Sequence, residues 1–497
     1  GVAKQGCQAF EKDYDITVPF TYETKMSGIH QEEHHPVVWY QRGFEAAHDG
    51  QMLTLYFEGV DYETTVWVNG SVAGTHRGAS ERFSFDISSL VKAGANQIVL
   101  RAEDSMDCEQ PRGKQRWKQD NFGCWYVQNT GIWKTVWLEE RKTAVALELV
   151  KITSDLDADQ VVFQPEINAP AGFSEDLVFE AVVTFAGEAV SEVRSGLRQK
   201  MQKFVLETRL QEDPCWGTKV WNPQEPNLYD VVFRLYNGAG DLLDEVNSYF
   251  GMRKIHIQDG QILLNNTTLY QRLILDQGYW PESSITPPSV AALELDIQRI
   301  KELGYNGLRK HQKLEDERFL YLCDAMGMLV WSEMPATYAF NDIAVANFIP
   351  EWQAIVKQYY NHPSIITWVP FNESWGIKDI AHDKEQQAFT ETVYYLTKAY
   401  DPNRPVITND GWVHTISDIL TLHDYEEYGE AFAARYADKE AIVNNGIQFN
   451  KDFYAFADGY GYRGQPVIIS EFGGIAFLLQ RKTNGATVTK CAQMRNS

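Results

Sequence analysis

Two glutamates stand where buried strands end. In IITWVPFNESWG, residues 365 to 376, the largely apolar run from Ile365 to Phe371 predicts a short strand buried on both faces, and it leads straight into Asn372 and Glu373. In PVIISEFGG, residues 466 to 474, a β-branched run delivers Glu471 in the same way before Gly473 and Gly474 release the chain. Two carboxyl groups on one face are what hydrolysis of a glycosidic bond through a covalent intermediate requires. One protonates the leaving oxygen, and the other, about 5 to 5.5 Å away, attacks the anomeric carbon. The acid needs a raised pKa, and Glu373, framed by Phe371 and Trp375, suits that role better. Glu471 has to stay ionised, with Arg309 and Tyr425 as candidate supports, and Asn372 is placed to bond a sugar hydroxyl beside the reacting carbon. A lone strand-terminal Glu is as well explained by a helix cap or an ion pair. Two of them, one preceded by Asn and flanked by aromatics, favour chemistry.

Asp276, His311, Glu333, Asp410, Trp412, His423 and Asp424 also fall at strand ends, each equally open to a structural role; for His311 that role would be a bond to a loop carbonyl. With Arg309, Asn372, Trp375 and Tyr425, residues Asp276, His311, Trp412 and His423 make up the expected substrate-binding set. A His/Asp/Glu metal site is possible on composition, but no HExxH-type spacing supports one; no metal and no cofactor are expected.

The elements that would carry these residues begin near residue 256. Strand-like runs at 269–277, 306–311, 328–335, 365–371, 405–412, 418–425 and 466–474 alternate with helical patterns. In 290–304, for example, Leu293, Ile297 and Ile300 recur at helical spacing with Asp296, Arg299 and Lys301 opposite. Seven strands in this order predict a (β/α)8 barrel over 256–497 that lacks its last unit, with both glutamates on the rim where such barrels keep their sites. Residues 1–140 predict a first β-sandwich, in which Asn69-Gly70 marks a two-residue hairpin, and 141–255 a second sandwich of immunoglobulin type acting as a spacer. The segment EQPRGKQRWKQDNFGCWYVQNTG, 109–131, predicts a solvated loop, although its aromatic content leaves a sugar-facing role open.

At 497 residues the chain is too long for one core, and 44% hydrophobic with 13% aromatic residues is ordinary globular composition. A net charge of -23 repels polyanions, so neither nucleic acid nor an anionic membrane surface is an expected partner. Six cysteines, Cys7, Cys108, Cys124, Cys215, Cys323 and Cys491, show no metal spacing; free thiols in a reducing compartment are expected, with a Cys108–Cys124 bridge as the alternative. No window nears 18 consecutive apolar residues, and GVAKQGCQAF has no signal-peptide core, so a cytoplasmic location is expected. Sandwich edges leave a homo-oligomer open.

VWYQRGFE, EGVDYETTVWVNG, TGIWKTVWLE, WNPQEPNLYDV, WVPFNESWG and ISEFGG occur in the order found in glycoside hydrolase family 2, and the chain resembles that family over essentially its whole length. The resemblance implies a jelly-roll sugar-binding domain, an immunoglobulin-like domain and a catalytic barrel. It implies a β-galactosidase, β-glucuronidase or β-mannosidase type of activity with Glu373 as acid/base, Glu471 as nucleophile and retention at the anomeric centre. It also implies support of the nucleophile by Arg309 and Tyr425 and a glycone contact at Asp276. The chain starts inside the family's jelly roll, and KTNGATVTKCAQMRNS does not resemble an eighth barrel strand, so both ends are expected to be shortened. The alternative expectation is a catalytically impaired member that still binds carbohydrate.

Overall fold

The computed structural model of the chain describes residues 13–47, 51–170, 172–174, 176–210, 217–450 and 452–473, and the backbone alone of 477–482 and 485–490. Cys7, Cys215, Cys491 and Gly474 lie outside the residues described in full. Cys108, Cys124 and Cys323 are free thiols, so the Cys108–Cys124 bridge is not formed.

The first domain is an antiparallel sandwich. Val37–Ala46, Gly94–Glu103, Glu63–Val68 and Ser71–Arg77 form one sheet, and Phe83–Asp86, Met52–Phe57 and Val136–Arg141 form the other. Alternate residues of both sheets, among them Leu53, Leu55 and Phe57 against Val66, Val68 and Leu100, close a single core. The Asn69-Gly70 turn has φ of +50° and +83°, the left-handed pair a two-residue hairpin needs. In the second sandwich a three-stranded sheet faces a four-stranded one. Its edge strand Glu188–Gly196 was not foreseen: it is mostly exposed and polar, and so lacks the apolar alternation of its neighbours.

The parallel strands follow. Leu273–Asp276, Gly307–Lys310, Leu329–Glu333 and Ile365–Val369 pair in sequence order. Phe371–Asn372 then pairs with Asn409–Asp410, and Leu420–Asp424 with Val467–Phe472. Helices α1 (Val290–Glu302), α2 (Glu317–Met326), α3 (Asp342–Gln358) and α4 (Lys384–Tyr400) pack outside. Each begins on a side-chain cap, from Ser289, Asp316, Asn341 and Asp383. In α1 the buried residues are Leu293, Ile297 and Ile300, the predicted stripe. Trp352 and Trp368, both fully buried, meet edge to face at 5.8 Å between helix and strand layers; burying such a side chain is worth roughly 1.5–3 kcal/mol.

Two features depart from expectation. Residues from 255 onward open with a small sheet, Ile255–Gln258, Gln261–Leu264 and Thr267–Thr268, instead of a barrel strand. Its Ile255, Ile262 and Leu264 pack on Leu329, Trp331, Ile366 and Ile407 and close the barrel's floor. Residues 477–482 and 485–490 pair with each other as an antiparallel hairpin. Among the described residues no eighth parallel strand joins Val467–Phe472 to Leu273–Asp276, and these two strands are the most exposed of the barrel.

Candidate active site

Glu373 follows directly on the short strand Phe371–Asn372, with φ of +49°, and Ser374 follows at +59°. Two successive side-chain-bearing residues in the left-handed region are strained. The turn is held by Glu373 N–H donating to Asp410 O at 2.8 Å and Ser374 N–H to Asn409 Oδ1 at 2.9 Å. Glu471 lies inside the strand Val467–Phe472, and a register shift between Leu422 and His423 brings His423 opposite it.

The two glutamates meet. Carboxylate oxygens of Glu373 and Glu471 and a ring nitrogen of His423 all lie within 4.8 Å of one another. His423 is 2.9 Å from Glu373 Oε1 through Nδ1, and 3.2 Å from Asp410 Oδ2 and 3.6 Å from Glu471 Oε1 through Nε2. The Tyr425 hydroxyl donates to Glu471 Oε2 and lies 3.4 Å from Glu373 Oε1. Both glutamate side chains keep 9% of their surface open to solvent. Arg309 is buried beneath them, paired with Glu471 and Glu333, 2.9 Å from Asp410 Oδ2 and 3.2 Å from Asn372 Oδ1.

These contacts divide the charges. Burial lowers the Arg309 guanidinium, but Glu333 and Asp410 outweigh it and the net shift is upward, so it stays a cation. Burial raises the Asp410 carboxyl, yet Arg309 and His423 hold it far below the ordinary range. Burial lowers His423, but Asp410 and Glu373 raise it on balance. Tyr425 is pushed up by burial and by Glu373 and remains a donor. For Glu373 the expected upward shift is not found. Burial does raise it, but the bond from His423, that ring's charge and Lys114 outweigh burial and leave it below the ordinary value. The contact that lowers Glu373 also raises His423, so the pair is drawn towards a carboxylate bonded to an imidazolium.

Asn372 Nδ2, Trp375 Nε1, Trp412 Nε1 and Gln312 Nε2 are buried and have no partner within the protein. Unpaired buried donors cost free energy, and acceptors on a bound molecule would satisfy them. Trp412 stacks on Phe453 at 4.2 Å and meets His423 edge-on. His311 is 3.0 Å from Glu333 Oε1, not against a loop carbonyl; burial lowers its pKa to about 4, so the ring is neutral. Asp276 stands apart from the pair: its carboxylate is engaged by Lys310 at 2.5 Å and by the N–H of Gly278 at 2.7 Å. Asp424 is held by Arg435 and, at 3.0 Å, by Tyr436.

The loop 109–131 is not a solvated surface. Arg112, Lys114, Gln115 and Arg116 are all buried, because the loop docks on the barrel segment after Glu333. Arg112 and Gly113 N–H donate to Ala336 O at 3.0 and 3.2 Å, and Tyr338 N–H donates to Cys108 O at 2.8 Å. A Cβ on Gly113, whose φ is +57°, would come within 2.4 Å of Gln312 O. Trp125 donates to the Tyr338 hydroxyl at 2.7 Å and meets Trp375 edge-on at 5.2 Å, so the first domain walls the barrel's rim. Lys114, Trp125, Gln312 and Tyr338 were not singled out from the sequence; the signal was the density of rings in the loop. A cavity of about 30 Å³ beside Arg112, Lys114 and Lys313 has room for a water or two and contains neither glutamate.

Glu373, His423 and Glu471 are also the set whose donor atoms could converge on a cation. A ligand imidazole must be neutral, whereas His423 is drawn towards its charged form, and Arg309 already supplies positive charge to Glu471. A cation held there would have to displace the His423 proton and compete with Arg309 for Glu471.

Three family models match the chain in succession: the sugar binding domain of the glycosyl hydrolases family 2 at residues 6–142, glycosyl hydrolases family 2 at 145–253, and its TIM barrel domain at 255–478. A putative beta-glucuronidase of Formosa agariphila is 28% identical over 74% of this chain and 44% of its own length. A beta-galactosidase of Thermoanaerobacter pseudethanolicus is 25% identical over 84% of this chain and 58% of its own. The chain thus spans about half the length of these curated relatives. Among solved structures, a GH2 beta-galacturonidase from Eisenbergiella tayi bound to galacturonate superimposes with a TM-score of 0.73 at 22% identity, over 96% of this chain and 81% of that one. A beta-glucuronidase from Ruminococcus gnavus does so with a TM-score of 0.74 at 18% identity, over 94% and 79%. At these identities the likeness speaks for the fold.

Proposed function

The chain belongs to glycoside hydrolase family 2, and on that premise we propose that it is a retaining exo-β-glycosidase that removes a terminal β-linked sugar of the β-galactoside or β-glucuronide kind. The observation that carries this reading is the approach of Glu373 and Glu471 to within 4.8 Å at a partly open rim. That separation suits a nucleophile and an acid on one anomeric carbon, and is too short for the intervening water of an inverting enzyme.

Glu471 is kept an anion by Arg309 and aimed by Tyr425. It attacks the anomeric carbon as the bond to the leaving oxygen breaks. Glu373 passes that oxygen a proton drawn from His423 Nδ1, which leaves Glu373 a carboxylate and the ring neutral. In the second half Glu373 takes a proton from water, the water oxygen attacks the anomeric carbon, and the ester to Glu471 breaks, so two inversions give net retention. Asn372 and Trp412 offer their free donors to ring hydroxyls, and Trp375 offers its own to a substituent of the ring. The relatives' names span β-galactosidase, β-glucuronidase and β-galacturonidase, whose substrates share this bond and differ in the substituents of the ring.

Glu373→Gln and Glu471→Gln are expected to lower turnover of nitrophenyl β-glycosides by about three orders of magnitude or more. A 2-fluoro glycosyl fluoride should label Glu471. Wild-type rates in either variant, or label on another residue, would overturn the assignment. The binding-only alternative has no observation in its favour, since both carboxyl groups and their partners are in place.

A further inference from the structure

Among the described residues, one buried cation lacks an oxygen partner, and it belongs to the loop that the first domain sends over the site. Arg116 donates to Gln128, Asn121 and Glu32 O, and Lys134 to Ser80 O with Tyr359 and Glu315 O alongside. Lys310 and Lys313 have the carboxylates of Asp276 and Glu315. Lys114 has only the Cys124 sulfur at 3.3 Å and the face of Trp125 at 5.6 Å. It is 6% exposed.

Resting on the glycosidase reading above, we propose that Lys114 is a specificity residue that pairs with an anionic substituent of the sugar ring, so that the preferred glycone is a uronic acid. A buried ammonium without an acceptor forfeits its hydration, and a ligand carboxylate restores it through a charge-assisted bond. The position is right for this. Lys114 lies over Trp125, Trp125 packs on Trp375, and Trp375 is two residues past Glu373. Its charge is felt at both Glu373 and His311. The adjoining groups are donors as well: Gln312 Nε2 and Trp375 Nε1 lack acceptors. A carboxylate meets that demand with two oxygens, whereas a hydroxymethyl group brings one and no charge. The loop is rigid enough to discriminate, because Gly113 and Arg112 are tied to Ala336, and the Lys114 carbonyl accepts from Tyr126 N–H at 2.8 Å.

The test uses the full chain with nitrophenyl β-glucuronide and β-galacturonide against the matching β-glucoside and β-galactoside at fixed ionic strength. A uronide should be preferred in kcat/KM by about 30-fold or more over its neutral counterpart. Lys114→Met should lower that ratio by a comparable factor, mainly through KM, and Lys114→Arg should restore part of it. Preference for the neutral sugars, or an unchanged ratio in Lys114→Met, overturns the proposal and leaves the glycosidase reading standing. Release from none of the four substrates removes the glycosidase reading and this one with it. Should Lys114→Met fail to fold, the wild-type ratio decides, together with its fall on raising salt, which the neutral substrates should not show.

Discussion

Removing the cation under the two glutamates should cost both stability and turnover, in a pH-dependent way. Arg309 has a 3% exposed side chain and pairs with Glu333 and Asp410, both fully buried, and with Glu471 at 9%. Water screens none of these contacts appreciably, so the discount for surface ion pairs does not apply. Arg309→Met keeps the bulk and strands the carboxylates, and breaking a buried pair in this way costs about 3–5 kcal/mol. At about 2–4 °C per kcal/mol for a domain of this size, the barrel's transition should fall by roughly 10 °C at pH 7. The sign with pH follows from the carboxyls. Asp410 and Glu333 are held below their ordinary values in the folded chain, so they contribute stability above the unfolded carboxylate pKa of about 4 and lose it as pH falls. Without Arg309, burial dominates and lifts them, so the variant pays most at neutral pH. The gap between wild type and variant should therefore narrow between pH 7 and pH 4.5. Scanning calorimetry at both pH values separates the barrel from the sandwiches, and Arg309→Lys, which keeps the charge without the fork, should fall between. A gap under about 1 kcal/mol, or one that is the same at both pH values, would show that Arg309 does not hold these carboxylates.

Two further outcomes are expected. Tyr425→Phe removes the hydroxyl that donates to Glu471 and should lower kcat by roughly 10- to 100-fold with little change in melting temperature; an unaltered kcat would remove the hydroxyl from the mechanism. The alkaline limb of kcat/KM should lie above the ordinary histidine value of about 6.5, because in the proposed mechanism the proton that Glu373 delivers comes from the raised His423. A limb below pH 6 would place the proton elsewhere.

The carboxyl pair was legible because each glutamate ends an apolar run, and a charge at such a place is informative without any contact being known. The helices were equally plain: the stripe of Leu293, Ile297 and Ile300 is periodic, and local periodicity survives folding. The edge strand Glu188–Gly196 and the floor-closing sheet from Ile255 were harder, the first for want of apolar alternation, the second because Asp259-Gly260 is a turn signal inside a stretch assigned to the barrel.

What the sequence alone determined was the order of domains and the placing of Glu373 and Glu471 at the ends of apolar strands, since both follow from residue type and spacing along the chain. The tertiary structure decided which partners those groups have. That Glu373 is lowered by His423 and not raised by Phe371 and Trp375, and that Lys114 of the first domain overlooks the barrel's rim, are consequences of residues far apart in sequence meeting where water is excluded. There a hydrogen bond and neighbouring charges together outweigh the effect of the local apolar frame.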